Sequence, residues 1–357
     1  MKQPLYQQIL NDLKADITAG TYLPEDKLPT ELELSERYGV SRITSKRALV
    51  ELENEGMIYR LRGKGSFVCA KDDLTAEKTV AKTDILFIMP FPHNAGLGDY
   101  TQGMLRCLEE TSYRLQVQPH QYLSSTDVAE IVAQYAGIIY YPTNNSSDLE
   151  LLYGLHLNAL PTVLLDKEFE SLPFSAVVAD NQQGGFEATQ HLIAQGHQQV
   201  AFVSTEHLGE VSSVRERYFG YMKALHAAGA TQPIHLKKTG TEEVSVYLEQ
   251  VTRQLLDQGI TGVIAENDII AIQLINTMKQ MGYQVPADFA VVGFDNIQAA
   301  SLLEPSLTTI SQKFEEMGTI ASQTLLAEIS QPTQVKEKHI VPVELIVRKS
   351  SQIESGG

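Results

Sequence analysis

A chain of 357 residues, 43% hydrophobic and 20% charged, has room for two or three ordinary globular domains. It contains no apolar run near the roughly 20 residues that cross a bilayer, and its polar opening, MKQPLYQQIL, lacks the apolar core of a signal peptide. A cytoplasmic protein with no membrane partner is therefore expected. The two cysteines, Cys69 and Cys107, are far apart and without zinc-site spacing, which argues against a disulfide framework or a metal site.

The first 70 residues read as helix, helix, helix, hairpin. Leu5, Ile9, Leu13 and Ile17 recur every four residues and give the first helix one apolar stripe, which Gly20 stops. Thr30 and Glu33 fit a capping box for a second helix running to about Tyr38, with Gly39 ending it. Ser41 can cap a third helix reaching about Glu55, ahead of Gly56. Met57 to Val68 then reads as a hairpin with Gly63-Lys64-Gly65 at its tip. Residues 71–83, polar and without a clear period, read as a linker.

From Asp84 onward, short apolar runs alternate with helix-like segments. The runs are ILFIM (85–89), GIIYYP (137–142), TVLLD (162–166), AVVAD (176–180), VAFVS (200–204), GVIA (262–265) and AVVGFD (290–295). Continuous apolar strands between amphipathic helices indicate parallel sheets covered on both faces. The expected fold is thus an α+β winged helix-turn-helix domain (1–70), the linker, and an α/β body (84–348) of two Rossmann-like parallel-sheet lobes. Residues 349–357 read as a tail. Ligands of such sheets sit beyond the carboxyl ends of the strands.

The net charge of −16 opposes a polyanion partner until its distribution is counted. Residues 1–70 carry ten basic and ten acidic side chains, while the remainder carries 18 against 34. Within Arg42 to Lys64 six basic residues face three acidic ones, a local strip able to bind phosphate. On a helical wheel Thr44, Ser45, Ala48 and Leu52 share one side of the third helix, and Arg42, Ile43, Lys46 and Arg47 the other. The second face suits a major groove: Arg can grip guanine O6 and N7 with a fixed fork, and Ile43 can touch a thymine methyl. Lys64, flanked by glycines, suits a minor-groove or phosphate contact. By charge alone, the same strip reads first as a solvated helix face.

The register of the segment adds to this. LPTE, GVSR, KRAL, ELENEGMI and GKGSFV occur in order across 28–68, and the whole resembles the GntR-family winged helix. The resemblance implies DNA contacts at Arg42, Thr44, Lys46 and Arg47, assisted by Glu31 and by the wing with Lys64 and Gly65. Ile43 lies at a variable position of the family.

In the body, Asp180-Asn181 with Gly184-Gly185 reads locally as a βα turn whose Asp or Asn caps a helix. The longer stretch VVADNQQGGFEATQHLIAQGHQQVAFVS resembles the LacI/GalR family, whose body is similar to periplasmic sugar-binding proteins. So do SSVRERYFGY (212–221), AENDIIAIQLINTMKQMGYQVPADFAVVGFDN (265–296) and PSLTTISQ (305–312). The resemblance spans about 84–348 and is strongest over 176–312. It implies sugar contacts at Asp166, Arg217, Asn267, Asp295 and Gln312. Their chemistry fits, because sugar hydroxyls both donate and accept, Asp accepts, Arg donates in a fork and Asn does both. Read locally, Asp166, Asn267 and Asp295 are also suited to helix caps, and Arg217 to a helix surface.

A sugar site usually includes an aromatic platform; the chain has no tryptophan, and Phe91, Tyr100 and Tyr140 can stand in for it, although each reads first as a core or surface residue. His191 and His197 read as packed helix residues. No metal-binding histidine pair, Walker loop or GxSxG element is present, so neither cofactor nor catalysis is expected. The pairing of head and body resembles the arabinose-responsive repressors of Gram-positive bacteria. That implies L-arabinose as effector and a homodimer on a near-palindromic, double-stranded operator. The first alternative is a regulator of the same architecture for another sugar; the rival from a different class is a GntR-headed, aminotransferase-like enzyme using pyridoxal phosphate, which needs a Schiff-base lysine setting that this body lacks.

Overall fold

The structure, a computed structural model, describes residues 5–23, 25–54, 57–61, 65–69, 82–90, 99–143, 148–169, 172–229, 232–332 and 335–352. The chain folds as two compact units, Met1–Ala81 and Lys82–Gly357.

The first unit contains α1 (Leu5–Thr18), α2 (Glu31–Tyr38), α3 (Arg42–Asn54) and a hairpin of β1 (Ile58–Leu61) and β2 (Gly65–Val68). Ile9, Leu13 and Ile17 are buried as their spacing predicts, but Leu5 is 57% exposed and Leu10 takes its share of the core. The capping box at α2 is complete: the Thr30 backbone N–H donates to Glu33 Oε2 (2.7 Å) and the Glu33 N–H to Thr30 Oγ1 (3.3 Å). Gly39 closes the helix in the left-handed conformation at φ 62°. Ser41 Oγ accepts the Thr44 N–H at 3.3 Å, opening α3. Leu28, Leu34, Ala48, Leu49, Leu52, Ile58 and Val68 complete one core, on which the antiparallel hairpin rests with Ile58 opposite Val68. Lys64, expected at the hairpin tip, and the greater part of the expected 71–83 linker lie outside the described residues.

The second unit has two lobes. Its first lobe runs β3 (Asp84–Met89), α4 (Tyr100–Leu108), β4 (Arg114–Pro119), α5 (Tyr122–Ser125), α6 (Val128–Gln134), β5 (Gly137–Tyr140), α7 (Leu149–Leu157), β6 (Thr162–Leu165) and β7 (Ser175–Ala179). The chain then crosses into the second lobe. There it forms α8 (Asn181–Ala194), β8 (Val200–Ser204), α9 (Ser212–Ala227), β9 (Ile234–Lys237), α10 (Val244–Gln258), β10 (Gly262–Ala265), α11 (Asp268–Gln280), β11 (Ala290–Asp295), α12 (Gln298–Leu302) and β12 (Thr308–Ser311). It returns for α13 (Phe314–Ser330) and β13 (Lys338–Val341), and crosses again for β14 (Glu344–Ile346).

The first sheet has the order β13-β7-β6-β5-β3-β4, all parallel. The second has the order β14-β12-β11-β10-β8-β9 and is parallel except for β14. Both sheets carry apolar cores on both faces, as the continuous runs require. The expected tail needs correction. Lys349–Ser351 forms a 3-10 turn whose serines are buried. Ser350 Oγ accepts the Thr308 N–H (2.8 Å) and donates to the Val291 carbonyl (2.6 Å), so the turn belongs to the second lobe.

Candidate functional site

Between the lobes lies a cavity of about 420 Å³ at the carboxyl ends of the strands. Asp166, Arg217, Asn267, Asp295 and Gln312 all line it, although they come from five separate segments.

Asp166 follows β6 in a left-handed backbone conformation (φ 71°) that turns the chain back at the cavity wall. Its Oδ2 lies 3.1 Å from Lys167 Nζ. Burial opposes its charge, but the Lys167 and Arg217 cations, with hydrogen bonds from Lys167 and Tyr141, hold the carboxyl below its usual range. Asp295 closes β11 with φ 123°. Burial pushes it up, Arg217 pulls it down, and the Asp166 charge raises it again, to about 6. Neither aspartate caps a helix through its side chain, which removes the simplest local reading of both.

Arg217 projects from α9 but is only 4% exposed, against the surface position that a lone helix arginine takes. Its Nε donates to Asn181 Oδ1 (2.8 Å) and its Nη1 to the Glu266 carbonyl (2.6 Å). Nη2 stands 3.3 Å from Asp295 Oδ1, and the guanidinium lies 3.7 Å from the Phe294 ring centre. Asn267 serves two purposes: its Oδ1 accepts the Ile270 N–H (2.9 Å) to cap α11, and the residue also lines the cavity. Gln312 donates to Asp295 Oδ1 at 2.6 Å, while its Oε1 is buried without a hydrogen-bond partner.

The aromatic wall differs in part from the expectation. Tyr100 lines the cavity, packed edge-on to Tyr141 (6.1 Å) and Phe314 (5.0 Å). Tyr140 does not; its side chain points to the opposite face of the sheet, where its hydroxyl meets His120 Nε2 at 2.7 Å. Its neighbour Tyr141 takes the place, because successive strand side chains alternate between faces. Phe91 lies outside the described residues. Burial raises the Tyr100 and Tyr141 phenols well above their usual range, so both remain neutral donors. Lys167, Tyr141 and Phe314 escaped sequence reasoning; the first two had a usable signal, adjacency to a strand end. His191 and His197 are away from the cavity and pair with Ser351 and Thr261 hydroxyls (2.7 and 2.8 Å).

In the other unit, α3 presents Arg42, Ile43, Lys46 and Arg47 outward, with Ser45, Ala48, Leu49 and Leu52 buried beneath. Arg47 stacks on the Tyr6 ring at 4.0 Å. Thr44 is half-buried, its hydroxyl 2.9 Å from that of Ser41. Arg60 of β1 braces the helix from behind: it donates to the Lys46 carbonyl (3.4 Å) and pairs with Glu53 (3.2 Å) and Glu31 (3.7 Å). Gly65 opens β2 at φ 122°.

Residues 5–68 match the family model of bacterial regulatory proteins, gntR family, and residues 189–351 that of the periplasmic binding protein-like domain. The chain is 31% identical to the arabinose metabolism transcriptional repressor of Geobacillus stearothermophilus, over 98% of each sequence. Its counterpart in Halalkalibacterium halodurans is 28% identical, over 97% of this chain and 96% of that one. Among solved structures, a LacI family transcriptional regulator from Enterococcus faecium with bound ribose has a TM-score of 0.64 at 27% identity, covering 75% of this chain and 98% of that one. The transcriptional regulator CelR in complex with cellobiose, 21% identical, shares the fold at a TM-score of 0.65, over 91% and 100% of the two chains.

Proposed function

We propose, from the premise that the chain belongs to the GntR family of bacterial regulatory proteins in its form with a periplasmic-binding-protein-like body, that it is a cytoplasmic transcriptional repressor released from its operator by L-arabinose. The observation that carries the sugar reading is the convergence of Asp166, Arg217, Asn267, Asp295 and Gln312 on one cavity with an aromatic wall. Acceptors, donors and a ring-stacking surface are what a polyhydroxylated ring requires. Full-length relatedness to the arabinose metabolism repressor supports the choice of pentose. D-ribose is the second reading, favoured by the ribose-bound relative.

On the DNA side, Arg42 and Ile43 read bases in the major groove. Lys46 and Arg47 meet phosphate or base edges, and Thr44, Glu31, Lys64 and Gly65 support the contact. Two chains form a homodimer, so two heads meet two half-sites of a near-palindrome. L-arabinose bridges the two lobes and favours a body shape in which the heads miss their spacing. Coupling of about 1–3 kcal/mol weakens operator binding roughly 5- to 150-fold. The relatives are transcriptional regulators, and the chain is assigned no catalytic step.

Thermal unfolding with L-arabinose, D-ribose and D-glucose tests the ligand. A sugar at about 100 times its dissociation constant adds about 2.7 kcal/mol, and the same sugar must dissociate a preformed operator complex. Stabilisation and release by D-ribose alone would replace the named effector. No effect of any sugar on either readout removes the sugar reading.

A further inference from the structure

Asp180-Asn181-Gln182-Gln183-Gly184-Gly185, a local βα turn by sequence, has more to do in the structure than start α8. Asp180 does cap the helix, accepting the Gln183 N–H at 3.0 Å. The other marked residues of the segment all meet Arg217 or the ring beneath it. Asn181, 5% exposed, accepts from Arg217 Nε through Oδ1 (2.8 Å) and donates from Nδ2 to the Ala179 carbonyl (3.1 Å). One neighbour is solely a donor and the other solely an acceptor, so only one orientation of the amide satisfies both.

The two glycines set distances. A methyl group on Gly185 would lie 2.0 Å from the Arg217 carbonyl oxygen, so α8 and α9 touch backbone to backbone at the arginine itself. On Gly184 it would lie 2.5 Å from Phe294 Cε2, the ring on which the guanidinium rests. Ala179 ends the last strand of the first lobe before the crossover and Asn181 begins the first helix of the second, so the amide spans the crossing.

We propose that Asp180–Gly185 is the seat of Arg217 and that Asn181 is the positioning residue that fixes the rotation of the guanidinium. This rests on the reading of Arg217 as an effector contact. With Nε held by Asn181 and Nη1 by the Glu266 carbonyl, Nη2 is directed toward Asp295 and the cavity. Without Asn181 the guanidinium is held only at its far end, by the Glu266 carbonyl, Asp295 and the Phe294 ring, so Nε loses its anchor and the fork offered to the sugar is less firmly directed.

Asn181→Ala removes the acceptor. Asn181→Asp keeps an acceptor toward Nε but removes the donor toward Ala179. Two readouts are taken on the full-length protein. The first needs no ligand: the Arg217 Nε–H resonance, identified by its loss in Arg217→Lys, exchanges slowly in the wild type. It is to be lost in Asn181→Ala and kept in Asn181→Asp. The second is calorimetric titration with L-arabinose, where Asn181→Ala weakens binding by about tenfold or more and Asn181→Asp stays within about threefold of the wild type. A residue that only joined the lobes through Ala179 would make the two variants equally weak, which overturns the proposal. An unchanged Nε–H resonance in Asn181→Ala, or unchanged affinity there, overturns it also. If the wild type takes up no L-arabinose, the effector reading fails instead, and the resonance alone decides the seat.

Discussion

On α3 of the head Ile43 is 80% exposed, whereas in the body Arg217 is 4% exposed with protein partners facing each of its nitrogens. The two regions present similar chemistry, cationic forks beside an apolar surface, in opposite states of readiness. Duplex DNA is large, rigid and highly charged, and counterion release supplies much of the affinity, so side chains that order on contact suffice. A monosaccharide has few atoms over which to offset such ordering, and its site works only when set beforehand. Even so, the head is not unprepared: Arg60 braces α3 through the Lys46 carbonyl and Glu53, and Arg47 is already stacked on Tyr6.

The largest expected effect follows from that contrast. Arg217→Ala removes a group whose partners remain buried, so L-arabinose should lose about 2–5 kcal/mol of affinity. Titrating the sugar against a preformed operator complex then shifts the release midpoint far upward, which in cells is permanent repression. Arg217→Lys should not restore it, because a point charge cannot reproduce the Nε and Nη contacts. Equal midpoints for variant and wild type would remove Arg217 from the site.

On the head the effects should be smaller and of two kinds. If Arg42 grips a guanine, Arg42→Ala costs about 1–3 kcal/mol on operator DNA and little on scrambled DNA. Lys46→Ala weakens both DNAs alike and lowers the salt slope by about one. Affinity across a salt series separates the two, and unchanged affinity in both variants would break the assignment of this face.

Legibility in the sequence followed the same divide between buried and exposed. The runs ILFIM, VAFVS and AVVGFD were readable because buried parallel strands are apolar without interruption, and each became a strand. Of the strands left unread, β4, β9, β13 and β14 are at sheet edges or half exposed, so no apolar run marks them; β12 is interior and largely buried, but its sequence TTIS is too polar to form such a run. The helix starts at Thr30 and Ser41 were readable because capping is local chemistry. Asp166, Arg217, Asn267, Asp295 and Gln312 came from resemblance, since no local pattern distinguishes a cavity aspartate from a cap. Phe314 was out of reach, because only the juxtaposition of strand ends with the α13 start brings it to the cavity. Tyr140 packs in the core, and the cavity position falls to Tyr141, one residue on, which in a strand is a change of face.

The last expected effect is read in stability rather than in binding, and concerns what keeping the cleft ready costs the fold. Asp268, at the start of α11, is fully buried; it accepts from Thr309 Oγ1 (2.5 Å) and from the Ile297 N–H (3.0 Å). Burial first, and then the Asp295 charge, push its carboxyl from 3.8 up to about 8, against those hydrogen bonds. A carboxyl raised in the folded state favours folding while it is protonated. Its contribution is therefore complete below the unfolded value near 4 and is lost as pH rises through about 8. Asp295 adds a loss of the same sign that ends near 6. Asp268→Asn cannot ionise, yet it can still accept from Ile297 and donate to Thr309 Oγ1. Melting temperatures of variant and wild type between about pH 5 and about pH 8.5 should start close together and diverge, the variant becoming the more stable above neutrality. Titrations common to both proteins, those of the histidines included, cancel in the difference. Parallel curves would mean that Asp268 stays ionised throughout, and that the cleft is held without a buried proton.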